Sequence, residues 1–378
     1  MRLFFAISQI FMVALGTHPV ELNPETDGTE GLTFNPNDVS RTLEVGGESA
    51  EIEEQSLFPY LNMSSITMID DEGRPVIGYF TKPPEGGRSA ADLERKMSGI
   101  RYILYTRKDP KGVTVKDADE LKKTSFDPKK NVKLITHGWL SSGSEKTCIE
   151  IKDGYLENWD VNVIIMDWSQ ITKNWYYVNP MFSVPKVAHH YAILINDIIN
   201  NMTVDPRNIH LIGHSLGAQV SGLVWKDMEG KKPGRVTGLD PASPGFDRFK
   251  LLNDRISNES AHFVDVIHTC GGILGILNPL GHADFYPNGG TAAQPGCTDI
   301  LKIASCSHGR SWNFFAESVR YPQRIFRATK CDSWEEFITN KCYENEKIIM
   351  GEKAPPTARG KYFLMTKPAS PFSLFVEE

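Results

Sequence analysis

The segment "HLIGHSLGAQVSG" (residues 210–222) decides the fold. It begins as a short apolar run and passes through Gly213, Ser215 and Gly217 into small residues that favour a helix. The pattern G-x-S-x-G at a strand-to-helix junction is typical of a nucleophile elbow. In this sharp turn the glycines remove side chains that would collide, and the serine is lifted above the carboxyl edge of a sheet. Ser215 is therefore the candidate nucleophile, and the amide of Leu216 is a candidate oxyanion donor.

The rest of the chain alternates short apolar runs with helical patterns. Between the runs, "VPKVAHHYAILINDIINNM" (residues 184–202) repeats apolar residues at helical spacing, with Pro185 in the predicted first turn. Strands that alternate with helices predict an α/β fold, in which a mostly parallel central sheet carries helices on both faces. The predicted strands are residues 100–107, 131–139, 161–168, 208–215, 234–240 and 262–269.

A serine nucleophile needs a base and an acid that orients it, and in this elbow architecture the chain order is serine, acid, histidine. Asp240 ends a predicted strand at the same sheet edge as Ser215, whereas Asp265 lies within a strand and is predicted to be structural. His308, in "SCSHGR" beside Cys306, is the best-placed base. The other downstream histidines are His262, His268 and His282.

A second oxyanion donor has to come from an earlier strand end. The segment "THGW" (residues 136–139) offers Gly138, which permits a close backbone approach, followed by the amide of Trp139. We expect Trp139 and Leu216 to form the oxyanion hole together.

The N-terminal residues predict export from the cell. Residues 1–16 contain Arg2, an apolar run and a small-residue exit, which is the pattern of a signal peptide. No later stretch reaches the length of a membrane span. We therefore expect a secreted, extracellular protein.

Charge divides the remaining chain into two parts. Residues 17–56 hold ten acidic residues and one arginine, a net charge of −9, and have little apolar periodicity. This composition predicts a disordered segment, which is either a solvated tail or a removable propeptide. Residues 57–378 carry a net charge of +2 and are predicted to form a single α/β domain. The balance gives no case for nucleic-acid binding.

Six cysteines fit an oxidising compartment. None forms a C-x-x-C pair, so three disulfides are expected rather than a zinc cluster. The sequons at Asn62, Asn201 and Asn258 are candidate glycosylation sites.

Several separate motifs occur in a characteristic order, and together they resemble the pancreatic lipase family of secreted animal lipases and phospholipases. The motifs are "HGWLSSG", "MDWS", "IGHSLGAQVSG", "GLDPASPGF", "FVDVIHT", "GHADFYPNGGTAAQPGC" and "CSHGRSWNFFAES". The resemblance implies the α/β-hydrolase fold, the triad Ser215, Asp240 and His308, and no cofactor. It also implies the disulfides Cys297–Cys306 and Cys331–Cys342, with Cys148–Cys270 remaining.

Two short loops set this chain apart from triacylglycerol lipases of the family. The lid loop between Cys297 and Cys306 has eight residues, and the neighbouring loop from Cys270 to Leu280 is also short. Both features resemble the phospholipase A1 members, including insect enzymes. The lid still offers Ile300, Leu301 and Ile303 to acyl chains or a lipid surface, although the same residues could simply fill a small gap in the core.

The expected function is hydrolysis of the sn-1 acyl ester of phospholipids at a membrane, micelle or lipoprotein surface. A triacylglycerol or galactolipid lipase would use the same triad. A protein of another class, a catalytically idle lipid-binding or yolk-type protein, could use the same fold.

Two further features of the family are expected to be absent. The chain ends 70 residues after His308, which leaves no room for the C-terminal β-sandwich of the larger lipases, so no colipase binding is expected. Ser257 and Ser260 stand where relatives place calcium-binding aspartates. Hydroxyls are weak calcium ligands, so no metal is expected.

Overall fold

The computed structural model describes residues 64–69, 74–81, 90–247 and 251–376. The predicted signal peptide (residues 1–16), the whole acidic segment (residues 17–56) and Asn62 lie outside the described residues, so the expectations about them stay predictions.

The part of the chain that the structure describes forms fourteen β-strands. These are β1 (Ser65–Ile69), β2 (Pro75–Tyr79), β3 (Arg101–Tyr105), β4 (Val113–Val115), β5 (Val132–Thr136), β6 (Asn162–Asp167), β7 (Ile209–His214), β8 (Arg235–Leu239), β9 (Phe263–Ile267), β10 (Ala283–Pro287), β11 (Arg324–Lys330), β12 (Lys347–Met350), β13 (Gly360–Leu364) and β14 (Phe375–Val376).

Helices alternate with the strands. They are α1 (Ala90–Met97), α2 (Ala118–Leu121), α3 (Lys146–Asn158), α4 (Ser169–Thr172), α5 (Val178–Met202), α6 (Leu216–Leu223), α7 (Ile303–Arg320) and α8 (Trp334–Ile338). None of those in the described residues combines the length and the hydropathy that a bilayer crossing requires.

A 12-stranded sheet organises the molecule, in the order β12-β11-β13-β10-β9-β8-β7-β5-β6-β3-β4, with β14 paired to β11. Neighbouring strands from β13 to β6 in this order are all parallel, and the outer strands are antiparallel. The strands β1 and β2 form a separate antiparallel hairpin. The predicted mostly parallel sheet is confirmed, and the six predicted strands correspond to β3 and to β5 through β9.

The sheet is buried on both faces, which explains why its central strands read as nearly continuous apolar runs. On β5, Leu134 belongs to the hydrophobic core cluster that α5 and α6 cover, whereas Ile135 belongs to the cluster that α3 and α7 cover. Successive side chains of a strand point to opposite faces. The prediction of helices on both faces of the sheet is therefore confirmed.

The helix α5 is longer than the sequence pattern predicts. It begins at Val178, so Pro185 lies inside it rather than in its first turn. Val178, Met181 and Val184 are all buried on the side of α5 that faces the core. Burial of each such side chain stabilises the protein by roughly 1.5–3 kcal/mol, which offsets the hydrogen bond that a proline inside a helix removes.

The amino ends of the parallel strands hold a buried network of charges centred on Glu352. Lys133 Nζ donates to Glu352 Oε1 at 2.6 Å, and the Tyr155 hydroxyl donates to Glu352 Oε2 at 2.6 Å. Arg235 donates to the main-chain oxygen of Glu352 at 2.8 Å. Burial raises the pKa of the Glu352 carboxyl, but Lys133 and Arg235 outweigh it and the pKa ends below its ordinary value. The network joins the segment after β12 to β5, α3 and β8.

The same network extends along the sheet through Asp265. Arg235 binds both carboxylate oxygens of Asp265 at 2.8 Å, and Thr237 Oγ1 donates to Asp265 Oδ1 at 2.8 Å. Burial lowers the pKa of His210, which lies between Lys133 and Thr237. Asp265 is thus a structural residue, as predicted, and it is not placed to orient a catalytic histidine.

We predict that Glu352→Ala lowers the free energy of unfolding by about 3–5 kcal/mol, because it leaves Lys133 and Arg235 buried without this carboxylate. The matched control is Asp119→Ala, which removes an exposed pair with Lys122 and should cost no more than about 1 kcal/mol. Urea unfolding curves of both variants measure the difference. Equal midpoints for the two variants would contradict the importance of the network.

The structure corrects the predicted disulfide pairing. The bridges Cys297–Cys306 and Cys331–Cys342 are present, but Cys148 and Cys270 are buried thiols and are not joined. Cys148 lies on α3 in the core cluster on one face of the sheet, and Cys270 follows β9 in the cluster on the other face. A disulfide requires Cα atoms about 4.4–6.8 Å apart, which packing on opposite faces of a sheet does not allow.

Alkylation of the denatured, unreduced protein should therefore modify two cysteines per chain, Cys148 and Cys270. In the native protein both should react slowly, because neither thiol is exposed and burial raises the pKa of Cys270. Peptide mass spectrometry with and without prior reduction counts the adducts. Recovery of a peptide with Cys148 bonded to Cys270 would restore the sequence-based pairing.

Candidate active site

Ser215 lies at the tight turn between β7 and α6, where the backbone has φ of 58° and ψ of −122°. A non-glycine residue with positive φ is strained, and such strain is often found at functional sites. A Cβ atom on Gly213 would lie 2.2 Å from the Gly217 oxygen, and one on Gly217 would lie 2.4 Å from the Thr136 oxygen. The turn can therefore form only with glycine at both positions.

Asp240 and His308 meet directly. His308 Nδ1 donates to Asp240 Oδ2 at 2.6 Å, and both side chains are almost completely buried. The other carboxylate oxygen, Oδ1, accepts hydrogen bonds from the amides of Thr269 and Cys270 at 2.8 and 3.0 Å. The carboxylate is fixed from both sides. The imidazole is consequently oriented with Nδ1 as donor, and Nε2 is left to accept a proton.

A third glycine is required for this contact. A Cβ atom on Gly275 would lie 2.3 Å from Asp240 Oδ1. The loop after β9 therefore approaches the carboxylate so closely that no side chain fits between them.

The predicted oxyanion residues lie beside the serine. A Cβ atom on Gly138 would be 2.8 Å from Ser215 Cβ, which shows how closely the segment after β5 approaches the nucleophile. Leu216 is the first residue of α6. Among the described residues, the main-chain amides of Trp139 and Leu216 donate to no protein acceptor. Both amides are thus left for another acceptor, and their role as oxyanion donors stays a prediction.

Buried hydrogen bonds between His137 and Trp168 hold the Gly138 segment in place. Trp168 donates its amide to His137 Nε2 at 3.1 Å and its indole N–H to the His137 oxygen at 2.9 Å. His137 Nδ1 lies 3.0 Å from the Gly138 oxygen. Burial raises the pKa of the neighbouring Asp167, but the proximity of His137 and the hydrogen bond from the Ser169 amide outweigh it and hold the pKa far below its ordinary value.

His214, which the sequence analysis did not single out, supports the base. Its ring centroid lies 4.5 Å from that of His308, and its Nε2 lies 3.2 Å from the His308 main-chain oxygen. Burial, and then the proximity of His308, lower the pKa of His214 well below its ordinary value. A neutral His214 donates to the carbonyl and adds no charge beside the base. In the sequence, its position directly before Ser215 in G-x-S-x-G was the only feature that pointed to this role.

Ser215 and His308 line the same small cavity, of about 20 Å³. This volume holds roughly one water molecule, so an acyl chain can enter only when the surrounding side chains move. Met68 of β1 and Phe80 just after β2 lie in its wall, so the hairpin covers the serine. The lining residues are Met68, Phe80, Trp139, Tyr177, Ser215, Ala242, Pro244, Leu274 and His308.

The predicted lid residues are not in this wall. Ile300 and Leu301 are 73% and 79% exposed, so they are available to a lipid surface but do not cover the serine in this structure. Ile303 is only 9% exposed and begins α7. Its predicted place on the exposed rim is wrong, because the side chain packs at the start of the helix.

The other histidines have structural partners or face solvent. His268 lies 2.9 Å from Asp284 Oδ1 and stacks on Tyr286, and His282 accepts from the Val264 amide. His262 is exposed. None of them contacts Asp240 in the described part of the chain.

Ser257 and Ser260 form the two halves of a capping box at a short 3₁₀ turn, and Ser260 Oγ also donates to the Gly222 oxygen at 2.7 Å. Within the described ranges, no three His, Cys, Asp or Glu side chains gather as a metal site. The sequons Asn201 and Asn258 are both exposed. The expectations about metal and glycans stay predictions.

Comparison with known proteins agrees with this geometry. A sequence model of the family described as Lipase matches residues 80–372. The chain is 30% identical to lipoprotein lipase of Rattus norvegicus over 77% of its own length and 66% of the relative's length. It is 31% identical to pancreatic triacylglycerol lipase of Cavia porcellus, over 72% and 62% of the two chains, and 31% identical to hepatic triacylglycerol lipase of Oryctolagus cuniculus, over 79% and 66%.

The match thus spans slightly less than two thirds of these relatives. Among solved structures, the chain shows a partial likeness to an α/β-hydrolase enzyme from a deep-sea metagenome library. That likeness has 16% identity and a TM-score of 0.31, and it covers 47% of this chain and 66% of the other.

We predict that Gly275→Ala lowers kcat on a water-soluble p-nitrophenyl ester by roughly 10³–10⁴-fold, because its Cβ would displace the Asp240 carboxylate from His308. The control is Gly230→Ala, where φ is 79° but no atom lies within 4 Å of the new Cβ. It should cost about 1 kcal/mol of stability and leave kcat unchanged. Near-normal kcat for a folded Gly275→Ala protein would show that Asp240 does not orient the base.

Proposed function

Since the chain belongs to the pancreatic lipase family, we propose that it is a secreted serine esterase that hydrolyses the sn-1 acyl ester of phospholipids. The observation that carries the proposal is the 2.6 Å hydrogen bond from His308 to Asp240, with His308 and Ser215 lining one cavity. An idle lipid-binding protein has no need of this arrangement or of the strained backbone at Ser215. Two disulfides support secretion, because such bonds persist in oxidising compartments.

In the proposed first step, Ser215 Oγ attacks the acyl carbonyl carbon and its proton passes to His308 Nε2. Asp240 holds Nδ1–H and stabilises the imidazolium. The negative oxygen of the tetrahedral intermediate accepts hydrogen bonds from the amides of Trp139 and Leu216. Collapse of the intermediate breaks the ester C–O bond, and the departing lysolipid oxygen takes the proton from His308.

The second step regenerates the serine. His308 removes a proton from a water molecule, whose oxygen attacks the acyl carbon bound to Ser215 Oγ. The fatty acid is released, and Ser215 Oγ recovers its proton from His308. The products of one cycle are a lysolipid and a fatty acid. No residue outside the described site is needed for these proton transfers.

Two features favour a phospholipid over a triacylglycerol substrate. The loop that Cys297 and Cys306 close contributes no residue to the lining of the cavity, and its exposed Ile300 and Leu301 present only a small apolar rim to lipid. A small rim leaves polar groups access to the cleft, so a charged head group can lie beside it. Triacylglycerol hydrolysis is the second candidate, because two of the relatives named above are triacylglycerol lipases.

Product analysis by mass spectrometry tests the proposal. Mixed-chain phosphatidylcholine, galactolipid and triacylglycerol are offered separately, with Ser215→Ala as the control. We expect loss of the sn-1 chain from the phospholipid with the wild-type protein. The variant should be slower by several orders of magnitude, because it lacks the nucleophile.

Cleavage of triacylglycerol alone would make the protein a lipase in the narrower sense. If no lipid is cleaved, a fluorophosphonate probe decides between the remaining classes. A folded wild-type protein that leaves Ser215 unlabelled would have no activated serine, and the idle lipid-binding reading would replace the proposed one.

A further inference from the structure

Another buried pair of a histidine and an aspartate lies next to the residues that hold Asp240. His268 and Asp284 are 0% and 2% exposed, and His268 Nε2 lies 2.9 Å from Asp284 Oδ1. Neither residue lines the cavity of Ser215, so the pair has no part in the proton transfers proposed above. Its contacts indicate a different role.

The ring of His268 is fixed on several sides. Its Nδ1 lies 2.6 Å from the main-chain oxygen of Ile276, and Nδ1 is the donor because a carbonyl oxygen can only accept. The ring also stacks on Tyr286, with a centroid distance of 4.5 Å and an interplanar angle of 4°. The hydrogen bond to Ile276 therefore ties the middle of the β9–β10 loop (residues 268–282) to the first residue of that loop.

The β9–β10 loop holds the carboxylate of Asp240. At its start, Thr269 and Cys270 donate their amides to Asp240 Oδ1 at 2.8 and 3.0 Å. At its middle, Gly275 approaches so closely that a Cβ atom there would lie 2.3 Å from the same oxygen. The position of the carboxylate thus depends on the shape of the loop at two places.

His268 is connected to both places. It directly precedes the first of the two amides that bind Asp240, and its Nδ1 holds Ile276, the residue after Gly275. The amide of Ile276 in turn donates to the Pro241 oxygen at 3.0 Å. Ile276 is therefore held on one side by His268 and on the other by the residue that follows Asp240.

The rest of the loop is anchored by two residues of β10. Asp284 Oδ1 accepts from the amides of Leu280 and Gly281 at 2.8 and 3.2 Å. The Tyr286 hydroxyl donates to the Leu277 oxygen at 3.1 Å, and burial raises the pKa of Tyr286, which keeps this proton in place. The side chains that orient His268 thus also fix the loop that it holds.

We propose that His268 is a positioning residue for Asp240 and, through Asp240, for the base His308. This inference rests on the proposed ester hydrolysis. The hydrogen bond from His268 Nδ1 to Ile276 sets how closely Gly275 approaches the carboxylate. Loss of this donor lets the loop shift, and the imidazole of His308 then loses its fixed orientation. A displacement of about 1 Å at reacting groups can lower a rate roughly 10²-fold.

Two substitutions of His268 separate its hydrogen-bond donor from its bulk. The side-chain Nδ2 of an asparagine occupies roughly the place of the imidazole Nδ1, so His268→Asn keeps a donor for the Ile276 oxygen. His268→Gln carries its amide farther out, towards Asp284, and loses that donor. Both variants lose the ring that stacks on Tyr286, so urea unfolding should show a similar loss of stability for the two.

On a water-soluble p-nitrophenyl ester, we expect His268→Gln to lower kcat roughly 10²-fold with little change in KM. His268→Asn should keep kcat within about threefold of the wild-type value. The control is His210→Gln, which removes another buried histidine at the opposite end of the strands. It should lower stability and leave kcat unchanged. Equal kcat for the two His268 variants, or an equal loss in the control, would overturn the proposal, since the effect would then come from packing alone.

A measurement without substrate keeps this test apart from the test of the proposed function. In alkaline buffer, NMR spectra of protein labelled with 15N-histidine report which ring nitrogen of His308 carries the proton, and His308→Gln provides the assignment. We expect protonation of Nδ1 alone in the wild type and in His268→Asn, and a mixture of tautomers in His268→Gln. If the wild-type protein cleaves no ester but shows this difference, the proposed function fails and the positioning role stands. An unchanged tautomer in His268→Gln overturns the positioning role whatever the activity.

Discussion

The arrangement of the candidate site depends on how closely three backbone segments approach one another at Ser215. Gly213 leaves room for α6, Gly217 for the end of β5, and Gly138 for Ser215 itself, with distances of 2.2, 2.4 and 2.8 Å to any added Cβ. These contacts set the position of the nucleophile and of both candidate oxyanion amides. A side chain at any of the three glycines would separate the groups that the proposed chemistry requires to be adjacent.

The buried charge network and the candidate active site lie at opposite ends of the same parallel strands. The amino ends hold Lys133, His210 and Arg235 in the buried network around Glu352. The carboxyl ends lead to Ser215 and Asp240, in the crevice where open α/β sheets bind ligands.

The segment from Asn174 to Tyr177 lies between the β1–β2 hairpin and the cavity of Ser215. Tyr177 lines the cavity of Ser215, and the hairpin β1–β2 is hydrogen-bonded to the segment through Tyr79, which donates to Trp175 and accepts from Tyr177. Trp175 is 41% exposed and meets Tyr79 edge to face. The hairpin over the serine and this segment are therefore held to each other by main-chain hydrogen bonds.

Local sequence patterns predicted much of the fold and most residues of the candidate site. The apolar runs predicted β3 and β5 through β9, and the glycines around Ser215, with the order serine, acid, histidine, selected the residues that the fold brings together. The strands β10 to β13 were not predicted, because their apolar runs are short and the charges of β11 obscure its pattern.

The pairing assigned to Cys148 and Cys270 was wrong, since a sequence does not say which face of a sheet a residue occupies. Only the tertiary structure revealed the hairpin over the serine and the contact of His214 with His308, because each depends on contacts between residues far apart in the chain.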